Sequence, residues 1–418
     1  MSVESTLKIL VISQHYWPEN FRINEVAESL HRAGCDVRVL TGQPNYPEGV
    51  VYPGYRAASV RREEHLGITI HRVPLVPRGH GKAWRLVANY LSFLFSACVL
   101  GPWLLRGQRV DVIFVYGTSP MLQAAAGIVL KFFKRAPLAV WVQDLWPQSL
   151  EATGFVHNQR LLDAVGSVIR WIYRRSDLLL AQSKSFVTSV QAVAGNTPVE
   201  YHPNPGEKAY GKLVPRGAAA LQLEPGFNVL FAGNLGKVQS LDMLLEAADL
   251  LRSHTDVRFV LVGSGSRSAW LHGEVARRVL PNVILPGRFA PDAMPGILAQ
   301  ASALLLSLSR SDILSQTVPS KLQAYLAAGR PIIASLDGEG AWVVEDAKAG
   351  VTCPSEDAPA LARAVLRLRA ESPEELRRMG EAGRSYYERN FEPAMLAGRL
   401  IQRFEQLVAP CRPTPQTD

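Results

Sequence analysis

Residues 228–251 read NVLFAGNLGKVQSLDMLLEAADLL, and the order of residue types in this stretch decides the fold. Its first run, 228–232, is short and apolar, as expected of a parallel strand buried on both faces. Residues 233–240 form a loop with two glycines and a lysine. Leu241, Leu244, Leu245, Ala248 and Leu251 then recur at helical spacing. Strand, loop and helix in this order are the repeating unit of an open parallel sheet.

The unit repeats on both sides. Downstream, strands are predicted at 258–262, 282–285, 303–308 and 331–334. Upstream, LKILVIS at 7–13 is followed by a loop with Pro18, Glu19 and Asn20. A helix follows with Ile23, Val26, Ala27, Leu30 and Ala33 at the same spacing as in the quoted stretch, and Gly34 stops it. Strands at 37–40, 110–116, 138–142 and 177–181 complete the first half. The reading is an α/β chain of two doubly wound Rossmann-like domains, 1–200 and 201–389, joined by a Pro- and Gly-dense stretch at 195–226. Residues 409–418 are polar and proline-rich and read as a flexible tail.

The 418 residues suit two or three domains, and 47% hydrophobic with 20% charged content excludes wholesale disorder. A net charge of +8 suits phosphate-bearing ligands or an anionic membrane without selecting between them. Cys35, Cys98, Cys353 and Cys411 are far apart, which disfavours a disulfide framework or a structural zinc site. The polar amino end runs straight into a strand, so no secretory leader is expected and the cytoplasm is the expected compartment.

In such sheets ligands bind beyond the carboxyl ends of the strands, so chemistry is sought in those loops. Gly233-Asn234-Leu235-Gly236-Lys237, with Gln239, reads as a phosphate cradle: glycines admit a ligand close to backbone, and a helix start offers free N–H groups. Gly263-Ser264-Gly265-Ser266 lacks the third glycine of a dinucleotide fingerprint and reads as an ordinary turn. Arg288 ends another strand. In SRSDILSQTVPSKLQAYLAAG (309–329), Pro319 and Ser320 begin a helix whose first turn holds Lys321, where a bound anion would offset the cation's conflict with the helix dipole. Asp144, in QDLWP after the strand at 138–142, is a carboxylate at a central strand's carboxyl edge, suited to catalysis or to sugar hydroxyls, or else to capping the next helix. Glu19, Asn20, Arg22, Asn45 and Tyr46 lie in loops at the same edge and are candidates for acceptor binding. No Asp-x-Asp, His-Glu-x-x-His or Walker loop occurs, so neither a divalent metal nor nucleotide hydrolysis is called for, and no cofactor or nucleic acid is expected.

Residues 86–105 are apolar apart from Asn89, Ser92 and Ser96, with Arg78, Lys82, Arg85, Arg106 and Arg109 at the flanks. The stretch is long enough to cross a bilayer, to form a buried helix or to dip into the interface. Gly101-Pro102 is expected to interrupt it, and the strand–helix rhythm resumes at once. Peripheral association with the membrane surface is the expectation.

The blocks VISQHYWPENFRINEVAESL, TGQPNYPEG, DLWPQS, HPNPGE, FAGNLGKVQSLDMLLEAA and PSKLQAYLAAGRPIIASLDGEGA, in this order, resemble the GT-B glycosyltransferases of family 4. They look most like the WbuB and WcaI group, which builds O-antigen, lipopolysaccharide, capsule or colanic acid. The resemblance covers about residues 7–407. It implies retaining, metal-independent sugar transfer at an inter-domain cleft on the inner face of the cytoplasmic membrane. The donor would be a nucleotide sugar, UDP-linked, carrying L-fucosamine, N-acetyl-L-fucosamine or a related deoxysugar. The acceptor would be a polyprenyl-diphosphate-linked saccharide. Gly233, Asn234, Gly236, Lys237, Gln239, Arg288, Gln316, Ser320, Lys321 and Leu322 would meet the donor, Asp144 would lie near the sugar or acceptor, and the helix at 390–408 would cross back onto the first domain. The chain departs from the family pattern in four places. Asn234 and Gln239 stand where Arg and Lys are usual, and Gln316 and Ala324 where two glutamates are usual. Lys237 and Lys321 are the expected electrostatic compensation. A sugar-nucleotide 2-epimerase and a non-catalytic glycan- or transferase-binding partner are the alternative readings.

Overall fold

The computed structural model describes residues 6–79, 83–152, 158–207 and 221–409. Lys82, Cys411, the tail beyond 409 and the middle of the 195–226 connection lie outside the described residues. Two compact units emerge, Met1–Pro203 with Pro393–Asp418, and Asn204–Glu392.

The first unit carries strands β1 (Lys8–Ile12), β2 (Asp36–Gly42), β3 (Arg61–His65), β4 (Ile68–Val73), β5 (Val112–Gly117), β6 (Leu138–Val142), β7 (Leu178–Ala181) and β8 (Val199–Tyr201). They form one sheet in the order β3-β4-β2-β1-β5-β6-β7-β8. All pairs are parallel except β3 with β4. Its helices are α1 (Arg22–Arg32), α2 (Ala83–Leu104), α3 (Ala124–Lys134), α4 (Gln148–Ala152), α5 (Gln159–Arg175) and α6 (Lys184–Ala194).

Alternate residues of each strand point to opposite faces of a sheet. Accordingly Ile9, Val11, Val39 and Phe114 pack under Ile23, Val26 and Leu30 of α1. Leu10, Ile12, Val115 and Val140 pack on the other face under Phe93 and Ala97 of α2, Leu130 of α3, Ile172 of α5 and Phe186 of α6.

The second unit holds β9 (Phe227–Asn234), β10 (Val257–Ser264), β11 (Val283–Gly287), β12 (Ala303–Ser307), β13 (Ile332–Ser335) and β14 (Gly350–Cys353). They form a six-stranded sheet in the order β11-β10-β9-β12-β13-β14, parallel throughout. Its helices are α7 (Leu241–Leu250), α8 (Ser268–Arg278), α9 (Met294–Leu298), α10 (Asp312–Ser315), α11 (Ser320–Ala328), α12 (Glu339–Asp346), α13 (Ala358–Ala370) and α14 (Pro373–Asn390). The last helix, α15 (Pro393–Val408), packs beside α1 in the first unit, with Leu400 and Phe404 buried against it. Arg403 fastens it there through Glu200 at 2.6 Å and His202 at 2.9 Å.

Two expectations are corrected. Gly101-Pro102 does not interrupt the apolar helix, because α2 runs through both residues to Leu104. Pro102 lies near the helix end, and Gly101 keeps the backbone close to Leu40 and Leu130, which hold that turn in place. Residues 233 and 234 belong to the end of β9 rather than to a free loop, paired in register with Gly263 and Ser264 of β10. Among the described residues one helix, Trp84–Leu104, is long and apolar enough to cross a membrane by length and composition.

Candidate active site

Both sheets reverse their strand order once, between β1 and β5 in the first and between β9 and β12 in the second. A crevice for ligands opens at the carboxyl end of such a switch point.

In the second unit the switch point is built by backbone that touches backbone. Gly263 has a φ of +143° and leaves only 1.8 Å between a hypothetical Cβ and the Gly233 carbonyl oxygen, so no side chain fits there. Gly233, at φ +138°, leaves room for Lys321, whose Cε would stand 2.7 Å from a Cβ. The Lys321 ammonium lies 3.9 Å from the centre of the Phe231 ring and donates a hydrogen bond to Gln239 Oε1. Both interactions attract a cation, and neither neutralises it. Burial pushes the Lys321 pKa down from its ordinary value to about 7. Its partners among the described residues are an amide oxygen and an aromatic face rather than a carboxylate, so the group, when protonated, has no counter-ion among them.

The loop after β9 is fixed from below. Ser307 Oγ donates to the Gln239 carbonyl at 2.8 Å, and the Ser309 amide donates to Val238 at 2.9 Å. Lys237 and Asn234 are exposed, whereas Gln239 is buried. Ser320 is exposed at the start of α11. Gln316 caps its own turn by donating to the Asp312 carbonyl at 3.0 Å. Arg288 is exposed after β11, at the sheet margin two strands away from β9. Leu322 requires a correction: its side chain is fully buried in the core, and its amide is bonded to the Pro319 carbonyl at 2.9 Å, so it has neither surface nor free polar group for a ligand.

In the first unit the carboxyl edge is organised by two carboxylates. Glu19 is 1% exposed and accepts from the Asn45 amide at 2.7 Å and the Tyr46 amide at 2.6 Å, with His15 Nδ1 at 3.0 Å. Asn45 is fully buried as well, donating to the Gln43 carbonyl and accepting from the Arg78 amide. Glu19 and Asn45 are therefore removed from the acceptor-contacting set: Glu19 ties the loop after β1 to the loop after β2, and the Asn45 side chain ties the latter to Arg78. Asn20 is exposed, Arg22 half-buried and Tyr46 half-exposed under the Arg78 guanidinium, 5.0 Å away.

Asp144 does not cap α4. One of its oxygens accepts from both the amide and the hydroxyl of Ser119, each at 2.9 Å, and Ser119 also receives the Trp146 indole N–H at 2.9 Å. Burial raises the Asp144 pKa above the usual carboxylate value, and the two Ser119 bonds oppose that rise. Tyr90, Tyr116 and Tyr173 feel its charge, and Tyr116 feels Arg22 as well. The edge thus gathers a carboxylate, phenols and guanidinium groups, a set suited to sugar hydroxyls.

Sequence reasoning passed over His15, Phe231, Tyr90, Tyr116 and Ser119. Their signal was positional: His15 follows β1, and Ser119 follows β5, on either side of the switch point. Phe231 and Tyr116 read as core because they lie inside strands. Among the described residues no group of three His, Cys, Asp or Glu side chains is placed to hold a metal ion.

Two Rossmann-like domains with switch-point sites of this kind define the GT-B class. Residues 20–205 match the glycosyl transferase 4-like domain, and residues 226–371 match the glycosyl transferases group 1 domain. The chain is a GT-B glycosyltransferase composed of these two domains, an enzyme of the hexosyltransferase type. A putative colanic acid biosynthesis glycosyl transferase, WcaI of Escherichia coli K12, is 28% identical over 341 residues, covering 77% of this chain and 82% of that protein. Sucrose-phosphate synthase from Thermosynechococcus elongatus superposes with a TM-score of 0.72 at 19% identity, covering 97% of this chain and 100% of that one. Anabaena HepE in complex with UDP gives 0.67 at 13% identity, covering 96% and 100%.

Proposed function

We propose that this glycosyltransferase acts in surface polysaccharide biosynthesis. It moves a deoxysugar of the L-fucosamine type, with retention, from a UDP-linked donor to a polyprenyl-diphosphate-linked saccharide at the inner face of the cytoplasmic membrane. The observation that carries the donor side is Lys321, a half-neutralised ammonium at the β9 switch point with no carboxylate partner among the described residues. In the transfer the sugar–oxygen bond to the diphosphate breaks, and negative charge grows on the leaving oxygen. A preorganised cation in a partly desolvated site stabilises that charge more than it stabilises the ground state. In this reading Lys237 and amides of the loop after β9 hold the remaining phosphate oxygens, without a resident metal.

The acceptor side rests on Asp144. A carboxylate fixed by Ser119 and raised by burial can orient an acceptor hydroxyl and accept its proton. Likeness to WcaI, a protein named for colanic acid, supports the polysaccharide context, and HepE, solved with UDP, supports the nucleotide.

The test is a thermal-shift titration against UDP, GDP, dTDP and ADP. A ligand at 100 times its Kd stabilises the native state by about 2.7 kcal/mol. A shift with UDP alone supports the reading, and assays with UDP-sugars and a prenyl-linked acceptor in EDTA then test transfer and metal independence. No shift with any nucleotide overturns the donor assignment.

A further inference from the structure

Helix α2, on one face of the first sheet, is built the wrong way round for water. On α2 the polar residues point inward. Asn89 is fully buried, donating to the Val76 carbonyl at 2.7 Å and accepting from Gln14 Nε2 at 2.6 Å. Ser92 accepts from the Val76 amide at 2.8 Å. The outward face carries Trp84, Leu91, Phe95, Val99 and Trp103, of which Phe95 is 70% and Trp103 66% exposed. A solvated amphipathic helix shows the opposite arrangement.

The neighbouring helices continue this surface. α3 packs against α2 and exposes Phe132 and Phe133, at 79% and 60%. Its Lys134 reaches the Gln108 carbonyl just beyond α2, at 3.0 Å. On its other side Lys131 reaches the Arg175 carbonyl at the end of α5, also at 3.0 Å. α5 in turn exposes Leu161, Val168 and Trp171. Three neighbouring helices on one sheet face thus expose eleven large apolar side chains, densest on α2 and at the end of α3 and interleaved with arginines on α5.

The charges at its margins are mostly positive, with Asp163 on α5 and Asp177, paired with Lys131, as the acidic exceptions. Arg85 lies beside Trp84 with its guanidinium 5.5 Å from the ring, and Arg175 beside Trp171 at 5.9 Å. Arg160, Arg170 and Arg174 on α5 add to them. Asp163 is the only acidic residue in the three helices. Arginine stems that lie along an aromatic while the charge stays at the rim suit the boundary between acyl chains and phosphate headgroups.

We infer that α2, α3 and α5 together form an in-plane docking platform for an anionic phospholipid bilayer, with α2 lying along the surface rather than crossing it. This rests on the membrane-facing role in the proposed function and deepens it by naming the surface and its lipid. The inward polar contacts of Asn89 and Ser92 hold α2 to the loops after β1 and β4, so spanning would require breaking them. A helix of α2's length, at about 1.5 Å per residue, lays its aromatic residues along the interface over most of its extent.

The test uses the full chain with vesicles of phosphatidylcholine alone or mixed with phosphatidylglycerol, read by co-sedimentation. Binding is expected only to the anionic vesicles and to fall with salt. Phe95→Ser with Trp103→Ser on α2, Phe132→Ser with Phe133→Ser on α3, and Trp171→Ser on α5 should each weaken it, the paired variants by about tenfold or more. Each variant should keep the native thermal shift with UDP, which shows that it is folded. Loss confined to the α2 variant, with α3 and α5 variants binding normally, overturns the three-helix platform while leaving a peripheral single-helix contact in place. No binding of the native chain to either vesicle overturns the membrane reading itself. A native dimer that the same substitutions dissociate assigns the surface to a second copy and also overturns the proposal.

Discussion

The two switch points of this chain share a fold and differ in what they concentrate. At the second, glycines close the β9–β10 edge so tightly that Gly263 tolerates no Cβ, and Lys321 occupies the space left by Gly233. At the first, Glu19 and Asp144 gather amides and hydroxyls, and phenols surround them. One edge therefore offers an ammonium with no carboxylate partner among the described residues and the other fixed carboxylates. A doubly wound sheet supplies the same scaffold in both places, and the residues at four loop ends decide whether a diphosphate or a hydroxyl is the better guest.

The comparison breaks most sharply at Asp144. Asp144→Asn can keep the hydrogen bonds from Ser119 while losing the proton-accepting carboxylate, so turnover should fall by roughly 10²–10⁴-fold with little change in Tm. Turnover close to wild type would remove the hydroxyl-activating role from the first edge. Gly263→Ala tests the second edge as architecture: contact with the Gly233 carbonyl at positive φ should cost roughly 3 kcal/mol or more in denaturant unfolding. Unchanged stability would show that the edge can relax.

Lys321→Met separates binding from folding. Removal of a charge-assisted contact to the diphosphate should cost about 1.5–3 kcal/mol of UDP affinity, measured calorimetrically. The folded protein should be as stable as wild type or more so, because a partly desolvated charge is gone. The pH dependence has a defined sign. Burial lowers the folded pKa of Lys321 to about 7 from the ordinary 10.5, so the unfolded chain binds the extra proton between those values. Stability of the free enzyme contributed by this group should therefore rise with pH across that window. UDP affinity should fall over the same range as the cation is lost, and the fall should vanish in Lys321→Met. The smallest effect is expected for Lys237→Ala. Lys237 is exposed and should cost only about 1 kcal/mol of UDP affinity. A loss equal to that of Lys321→Met would show that the loop after β9 closes on the ligand.

Much of the fold was legible because central parallel strands are short apolar runs. The run at 138–142 is β6 to the residue, and 228–232 lies inside β9. One strand passed over, β4 (ITIHRV), did carry a β-branched apolar signal; the others passed over do not. β3 reads Arg61-Arg62-Glu63-Glu64-His65 at the sheet margin, where only its partner β4 gives it a reason to be extended. β8 and β14 are three- and four-residue margins. In the site, Asp144 stood out as a charge next to a predicted strand end and Lys321 as a cation in the first turn of a predicted helix. Glu19 and Leu322 looked equally eligible, and only burial separated them from the ligand-facing set.

The sequence by itself determined the two-domain α/β plan, the glycine-marked loop after β9 and the excess of positive charge. Each of these rests on local periodicity or composition, which a chain carries before it folds. The tertiary structure decided which side of α2 faces outward, that Phe231 lies under Lys321, and that Ser119 holds Asp144. Those relations join residues 25 to 90 positions apart, and no local pattern encodes a contact that exists only after the strands have paired.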